Sequence, residues 1–416
     1  MSALERVGGE LRLEGVALEE VARRFGTPCY VYSRAAIESA FRTFDEGLAG
    51  LDHLVCYAVK ASSNLAILDV LARMGAGFDI VSGGELARVL AAGGRADRVI
   101  FSGVGKSEPE MRAALEAGIK CFNVESEPEL DRLDGVARAL GRRAPVSLRI
   151  NPDVDARTHP YISTGMAGNK FGIPHARALA AYRHAAGLAN LRIVGIDCHI
   201  GSQILETAPL DEALDRVLEL VDALVAEGIA LEHLDLGGGL GIRYRDEERA
   251  PDIHAYCRGL AARLAGRGLQ VLLEPGRAIV GAAGVLLTRV EYLKLDKAKR
   301  FAVVDASMSE LLRPALYESW HPIVPVREAA GREAARYDVV GPVCESSDVL
   351  GLDRELSVAP GDLLAILAAG AYGMAMSSNY NSRPRPCEVL VDRGEALEVR
   401  ARETAESLFA LERRLP

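Results

Sequence analysis

Between residues 54 and 275 the hydrophobic pattern alternates between two periods. Short apolar runs at Leu54–Val59, Phe78–Val81, Val99–Ser102, Ile119–Val124, Val146–Ile150, Ile193–Ile200, His233–Leu236 and Val271–Glu274 have the length and composition of buried strands. Between them apolar residues recur at three and four, the helical spacing. These stretches are Leu65–Met74, Glu85–Ala92, Glu108–Ala117, Pro128–Leu140, Arg177–Gly187, Leu210–Glu227 and Ile253–Ala265. Strands alternating with helices predict βαβ units and a parallel sheet. Eight of them within about 220 residues suit a closed (β/α)8 TIM barrel better than an open doubly wound sheet. The first strand–helix step carries no G-x-G-x-x-G, which weighs further against a dinucleotide fold.

After Gly276 the texture changes. Val285–Leu295, Phe301–Val304, Tyr337–Val340, Leu363–Leu367 and Glu388–Val391 are β-type runs split by Pro, Gly and Asp, with no long helical pattern among them. This predicts a C-terminal all-β domain, with Cys29–Tyr32 as a candidate strand of its sheet. The expected organisation is an N-terminal segment over residues 1–35 joining the β domain, a barrel over 36–280, and the β domain over 281–416.

The 416 residues are 49% hydrophobic and 26% charged, ordinary for a globular enzyme and enough for a large core. A formal charge of −9, with no basic block interleaved with aromatics, argues against a nucleic-acid surface. The start Met1–Arg6 has no apolar signal core, and no run is long and apolar enough to span a membrane. The seven cysteines are scattered without CxxC spacing, so neither a disulfide framework nor a metal site is expected, and the cytoplasm is the expected compartment.

In a barrel of this kind the chemistry sits at the C-terminal strand ends, and the unusual residues of this chain fall there. Lys60 follows the first strand, where burial would disfavour its charge and make it a nucleophile of the kind that forms Schiff bases. The plain alternative is a lysine that snorkels to the edge. His199-Ile200-Gly201-Ser202-Gln203 closes the sixth strand, and His199 is either a flat ring for a ligand or a satisfied core histidine. Gly237-Gly238-Gly239 after the seventh is either an anion cradle or simply a turn. Glu274-Pro275-Gly276-Arg277 after the eighth delivers a carboxylate to the barrel mouth, unless Glu274 and Arg277 pair with each other. An amine, a cradle, a flat ring and a carboxylate facing one cavity point to pyridoxal 5'-phosphate, whose pyridine nitrogen a carboxylate keeps protonated.

The sequence also resembles a known family. Tyr57-Ala58-Val59-Lys60-Ala61, Asp79-Ile80-Val81-Ser82-Gly83-Gly84-Glu85, His199–Gln203 and Glu274–Arg277 are similar to motifs of the fold-type III pyridoxal-phosphate decarboxylases. So are His159–Gly165, Lys170-Phe171-Gly172, Arg313-Pro314-Ala315-Leu316-Tyr317, Gly341–Asp348 and Gly370-Ala371-Tyr372-Gly373, in order over residues 25 to 390. The likeness is nearest to the branch acting on meso-2,6-diaminoheptanedioate. It implies that Lys60 carries the cofactor, that His199 stacks on its ring, and that Asp79, Ser202, Gly238, Gly239, Glu274, Pro275, Gly276, Arg277 and Tyr372 help to bind it. It assigns Arg277, Arg313, Tyr317, Glu345 and Tyr372 to the distal end of the substrate and Cys344 to reprotonation of the substrate carbon. Cys344 and Glu345 would come from the partner chain, which implies a homodimer with shared active sites. The chain departs from the pattern at Met308-Ser309-Glu310, where Asn or Asp more often follows Met.

The residues support the substrate class independently. Arg277 and Arg313 offer planar forks for a carboxylate, and Glu345 suits an ammonium. A substrate with an amino-acid head at each end needs both. Taken alone, Arg313 and Tyr317 also read as an exposed helical pair and Cys344 as an inert buried thiol. A decarboxylase for ornithine or arginine is the nearest rival, disfavoured because those substrates lack a distal carboxylate. An amino-acid racemase of similar architecture would exchange the α-proton without releasing gas. A non-catalytic pyridoxal carrier would need neither the β domain nor Cys344-Glu345.

Overall fold

The computed structural model describes residues 3–156, 164–165, 169–296, 299–329 and 331–416. It divides into two compact units. One comprises Met1–Ile37, Arg243–Glu248 and Ile279–Pro416, the other Glu38–Ile242 and Arg249–Ala278.

The first unit begins with an antiparallel ladder of β1 (Leu4–Val7), β2 (Glu10–Leu13) and β3 (Val16–Ala17). Helix α1 (Leu18–Phe25) and strand β4 (Cys29–Ser33) follow, and α2 (Arg34–Gly47) leads into the second unit.

That second unit is the barrel. Its strands are β5 (His53–Ala58), β6 (Gly77–Ile80), β7 (Val99–Phe101), β8 (Cys121–Val124) and β9 (Ala144–Asn151), with the short β10 (Ile173–Pro174) beside β9. Strands β11 (Leu191–Asp197), β12 (His233–Asp235) and β13 (Gln270–Leu273) complete it, and β13 pairs β5 in parallel to close the ring. Each of the eight strands overlaps a run read from the sequence.

The helices between them are α3 (Leu65–Arg73), α4 (Gly83–Ala91), α5 (Glu108–Ala117), α6 (Glu127–Ala139), α7 (Ala178–Gly187), α8 (Ala208–Ala226) and α9 (Ile253–Leu264). Local chemistry starts and stops them. The Asn64 carboxamide accepts from the Ala66 amide at 2.9 Å to cap α3, and Ser107 with Glu110 forms a capping box on α5. Gly118, at φ 73°, ends α5 in the left-handed conformation.

After the short α10 (Arg277–Val280) the first unit resumes with β14 (Gly284–Leu295), β15 (Arg300–Val304), α11 (Arg313–Tyr317) and β16 (Ile323–Pro325). Strands β17 (Ala335–Val340), β18 (Val349–Leu356), β19 (Leu363–Ile366), β20 (Cys387–Asp392) and β21 (Glu395–Arg400) follow. The sheet runs β18-β17-β15-β14-β4-β20-β21, with β19 branching from β14 to β16. The expected strand Cys29–Tyr32 therefore lies at the centre of this sheet as β4, between β14 and β20. Its core joins Leu18, Val31, Leu287, Ala365 and Val389.

Candidate active site

Residues two apart on a strand face the same way, and this periodicity builds the barrel interior in layers. Cys56, Ile100, Cys121, Val194 and Leu272 meet in an apolar cluster drawn from five strands. Toward the C-terminal ends, two residues beyond Ile100, Cys121 and Leu272, come Ser102, Asn123 and Glu274. Asp79, Asp197 and Asp235 occupy the corresponding ends of β6, β11 and β12, and all six polar residues are buried. Asn123 ties the layer together. Its amide nitrogen lies 3.2 Å from Ser102 Oγ, 3.4 Å from Asp235 Oδ2 and 3.4 Å from Glu274 Oε1.

Lys60 sits on a 3-10 turn, Val59–Ala61, immediately past β5. Its Nζ donates to Asp79 Oδ2 at 2.6 Å. The sequence reading placed this amine out of reach of water. The structure corrects that: the Lys60 side chain is 36% exposed while Asp79 is fully buried. The turn carries Lys60 beyond the strand to the barrel mouth, so an acid partner below it, rather than wholesale burial, holds the ammonium.

Asp197, Asp235 and Glu274 bring carboxylate oxygens within 4.8 Å of one another. Burial raises all three carboxyls above their usual range; the charge of Asp235 raises Asp197 and Glu274 further, and that of Asp79 raises Asp235, where a hydrogen bond with Glu274 opposes. Asp235 is pushed up to about 6, chiefly by burial, with the Gly237 amide opposing at 2.9 Å. Asp79 adds to the rise at Glu274, and the Lys60 charge opposes it. The only cation paired with the cluster among the described residues is Arg149, 3.9 Å from Asp197 and 3.2 Å from Glu125. The cluster is therefore short of positive charge, and a cation delivered to Glu274 would be strongly favoured. A divalent metal would satisfy that in principle, but so would a protonated ring nitrogen.

Beyond β11 the chain turns through His199, which is half-buried. Its Nδ1 accepts from the Gly238 amide at 3.2 Å, leaving the proton on Nε2. Desolvation, then Arg149 and Lys60, hold its pKa well below the usual value, so the ring is neutral. Gly237 and Gly239 have φ of 63° and 107°, which only glycine adopts easily. A Cβ at Gly238 would strike the Glu274 carbonyl, and one at Gly239 would lie 2.5 Å from the Gly201 carbonyl. The glycines thus allow the His199 loop and the Glu274 strand end to close on the same turn. Two of the three amides are already engaged, Gly237 to Asp235 and Gly238 to His199, so the turn is a narrower anion cradle than its sequence suggests. Arg277 donates to Ser202 Oγ at 3.0 Å, and a Cβ at Gly276 would touch Ala58 and Ala61 at 3.0 Å, packing this segment beside the Lys60 turn. Of His159–Gly165, residues His159 to Ser163 lie outside the described residues. Thr164 Oγ1 donates to the His199 carbonyl at 2.9 Å.

The remaining candidates belong to the β unit. Arg313, at the start of α11, is buried, and its Nη1 lies 3.0 Å from Tyr244 Oη and 2.8 Å from His321 Nε2. It is thus not the exposed helical arginine that spacing alone allowed, and Tyr317 is half-buried. Glu345 accepts from Tyr380 Oη at 2.6 Å. Cys344 is the single exposed cysteine of the seven, so it is not the buried thiol that the sequence allowed. Tyr372 adopts φ 56°, a left-handed conformation rare for a side chain of its size.

Sequence reasoning missed Ser102, Asn123, Asp197, Asp235, Arg149 and the Tyr244–His321 clamp. A signal existed for the acids: each is a lone charge inside an apolar run, as in Leu234-Asp235-Leu236.

Pyridoxal phosphate fits this donor set. Lys60 offers an amine at the mouth, Glu274 an acid short of a cation, and the Gly237–Gly239 turn a place where no Cβ could stand. Comparison with known proteins agrees. A family model described as "Pyridoxal-dependent decarboxylase, pyridoxal binding domain" matches residues 34–281. A diaminopimelate decarboxylase of Pseudomonas aeruginosa is 60% identical over 98% of both chains. The structure of diaminopimelate decarboxylase from Helicobacter pylori complexed with L-lysine is 43% identical, with a TM-score of 0.91 over 95% of this chain and 99% of that one. The enzyme from M. jannaschii in co-complex with L-lysine is 37% identical, with a TM-score of 0.93 over 100% and 98%.

Proposed function

From the chain's membership of the diaminopimelate decarboxylases, pyridoxal-phosphate enzymes that pair a (β/α)8 barrel with a β domain, we propose how its own residues carry the reaction. That reaction is decarboxylation of meso-2,6-diaminoheptanedioate to L-lysine and carbon dioxide, the last step of lysine biosynthesis by this route. The observation that carries the reading is the Lys60–Asp79 contact of 2.6 Å beside the cation-deficient Glu274 cluster.

Lys60 would hold the cofactor covalently, Glu274 its ring nitrogen and His199 its ring face. Ser202, Gly238, Gly239, Pro275, Gly276, Arg277 and Tyr372 would complete the binding site. When bound, pyridoxal phosphate supplies the electron sink for the pair released as the Cα–carboxylate bond breaks. Asp79 orients Lys60 and keeps a proton at its Nζ. Asp197 and Asp235 make Glu274 avid for a cation, which keeps the proton on a ring nitrogen placed there. His199, neutral and oriented by Gly238, packs without adding charge that would oppose that proton. Arg313 is fixed by Tyr244 and His321, which suits a fork receiving the distal carboxylate. Glu345 would take the distal ammonium, with Arg277, Tyr317 and Tyr372 around the same end. Cys344, the exposed thiol, would return the proton to Cα.

We propose further that the enzyme is a cytoplasmic homodimer in which Cys344 and Glu345 serve the partner's barrel. Their exposure supports this, as does the absence of other exposed thiols. In the same reading the barrel domain covers residues 36–280, and residues 1–35 join 281–416. The test is a carbon dioxide and lysine assay on the three diaminopimelate stereoisomers, with ornithine, lysine and arginine alongside. Release from the meso isomer alone is expected. Comparable turnover of ornithine, or α-proton exchange without gas, would overturn the assignment.

A further inference from the structure

The β unit holds an arginine whose charge no carboxylate among the described residues balances. Arg354, on β18, is 6% exposed, and its Nε is buried without a hydrogen-bond partner. Its guanidinium carbon stands 3.1 Å from the centroid of the Trp320 ring, and that of Arg245 stands 4.5 Å from the same centroid. Among the described residues the Arg354 guanidinium makes no ion pair with a carboxylate. The nearby acids are otherwise engaged or solvated: Asp353 pairs with Arg336 at 2.5 Å and Asp246 with Arg243 at 2.6 Å, while Glu247 and Glu355 are exposed. Gly351 leaves Arg354 its room, since a Cβ there would lie 2.5 Å from Nε. Burial, with Arg245 adding repulsion, lowers the Arg354 pKa to about 10. A desolvated cation beside a second cation is unfavourable unless an anion completes it.

Both arginines and Trp320 line a cleft of about 440 Å³ with Tyr244, Pro322 and Ile323, and the four acids and Arg336 named above stand on its walls as well. We propose that this cleft binds a small organic carboxylate, its charge on Arg354 and Arg245 and its apolar body against Trp320 and Pro322. The planar forks favour a carboxylate, and the apolar wall favours an organic acid over inorganic phosphate. None of the residues lining the cleft is a proposed reaction residue, although Tyr244 also touches Arg313.

Trp320 is the chain's single tryptophan, so its emission reports on this cleft. Titration of the holoenzyme with sodium benzoate, against sodium chloride and inorganic phosphate at equal ionic strength, should change the emission saturably with benzoate alone. R354Q should raise the half-saturating concentration by about tenfold or more, and R245Q by a smaller factor. Unchanged decarboxylation of the meso substrate would show that both variants are folded. If R354Q does not fold, R245Q decides. The proposal fails if benzoate gives no saturable change, if phosphate or chloride gives the same one, or if the folded variants respond as the wild type does.

Discussion

Asp235 offers the sharpest test of the acid cluster. Asp235→Asn removes the charge while leaving an oxygen to accept from the Gly237 amide, now 2.9 Å away. Burial raises the carboxyl from 3.8 to about 6 in the folded protein. The folded state therefore binds this proton more tightly than the unfolded chain. The associated stability is present in full below about pH 4 and is lost as pH rises through about 6. A rise of that size corresponds to roughly 3 kcal/mol once the group is fully ionised, near pH 8, and to about half of that near pH 5. Between those conditions the wild type should lose stability on the order of 1 kcal/mol that the asparagine variant keeps. Asp235 is also among the causes of the raised carboxyls at Asp197 and Glu274, so its removal relaxes them in the same direction. The measurement is urea unfolding of cofactor-free protein at both pH values, comparing differences rather than absolute stabilities. Any change in the weak hydrogen bond from Asn123 offsets the variant's curve by a constant and leaves the comparison intact. Parallel pH–stability curves, or a steeper one for the variant, would refute the raised Asp235 carboxyl on which the account of the acid cluster rests.

Three further outcomes follow from the geometry. Lys60→Ala should lower decarboxylation of the meso substrate at least about a thousandfold and abolish the covalent chromophore seen by absorbance; wild-type turnover would sink the role of Lys60. Mixing inactive Lys60→Ala with inactive Cys344→Ala protein under subunit exchange should restore about a quarter of wild-type activity. Half of the dimers would be hybrids, each with one intact site, whereas sites built within single chains would recover nothing. Gly238→Ala drives a methyl into the Glu274 carbonyl and should cost about 1–3 kcal/mol in urea melts while weakening cofactor retention in dialysis. Unchanged retention would show that the turn does not position Glu274.

The barrel was legible because its strands are buried on both faces over most of their length, so each reads as an apolar run between helices of a different period. The strands that escaped notice have the opposite character. β1 and β2 are short, and β18 carries Asp353-Arg354-Glu355 in its middle, with Leu352 and Glu355 facing out. Half-exposed strands of this kind read as loops. Cys29–Tyr32 was visible because β4 is wholly buried.

Residue order was enough to say which chemical groups stand at the barrel mouth: Lys60, His199, the glycine turn and Glu274 all punctuate strand ends, and their order along the chain fixes their order around the ring. What those groups are worth was settled only by folding. Whether Asp197, Asn123 and Asp235 point into the barrel or into a helix layer depends on register, and in β11 a shift between Ile193 and Gly195 resets it. A one-residue slip would turn those side chains away from Glu274 and dissolve the cluster. The same holds for Lys60, whose apolar neighbours suggested burial. Only the turn past β5 places it in partial contact with water above Asp79, because chain direction after a strand end is set by packing against the neighbouring strand and not by the residues of the run itself.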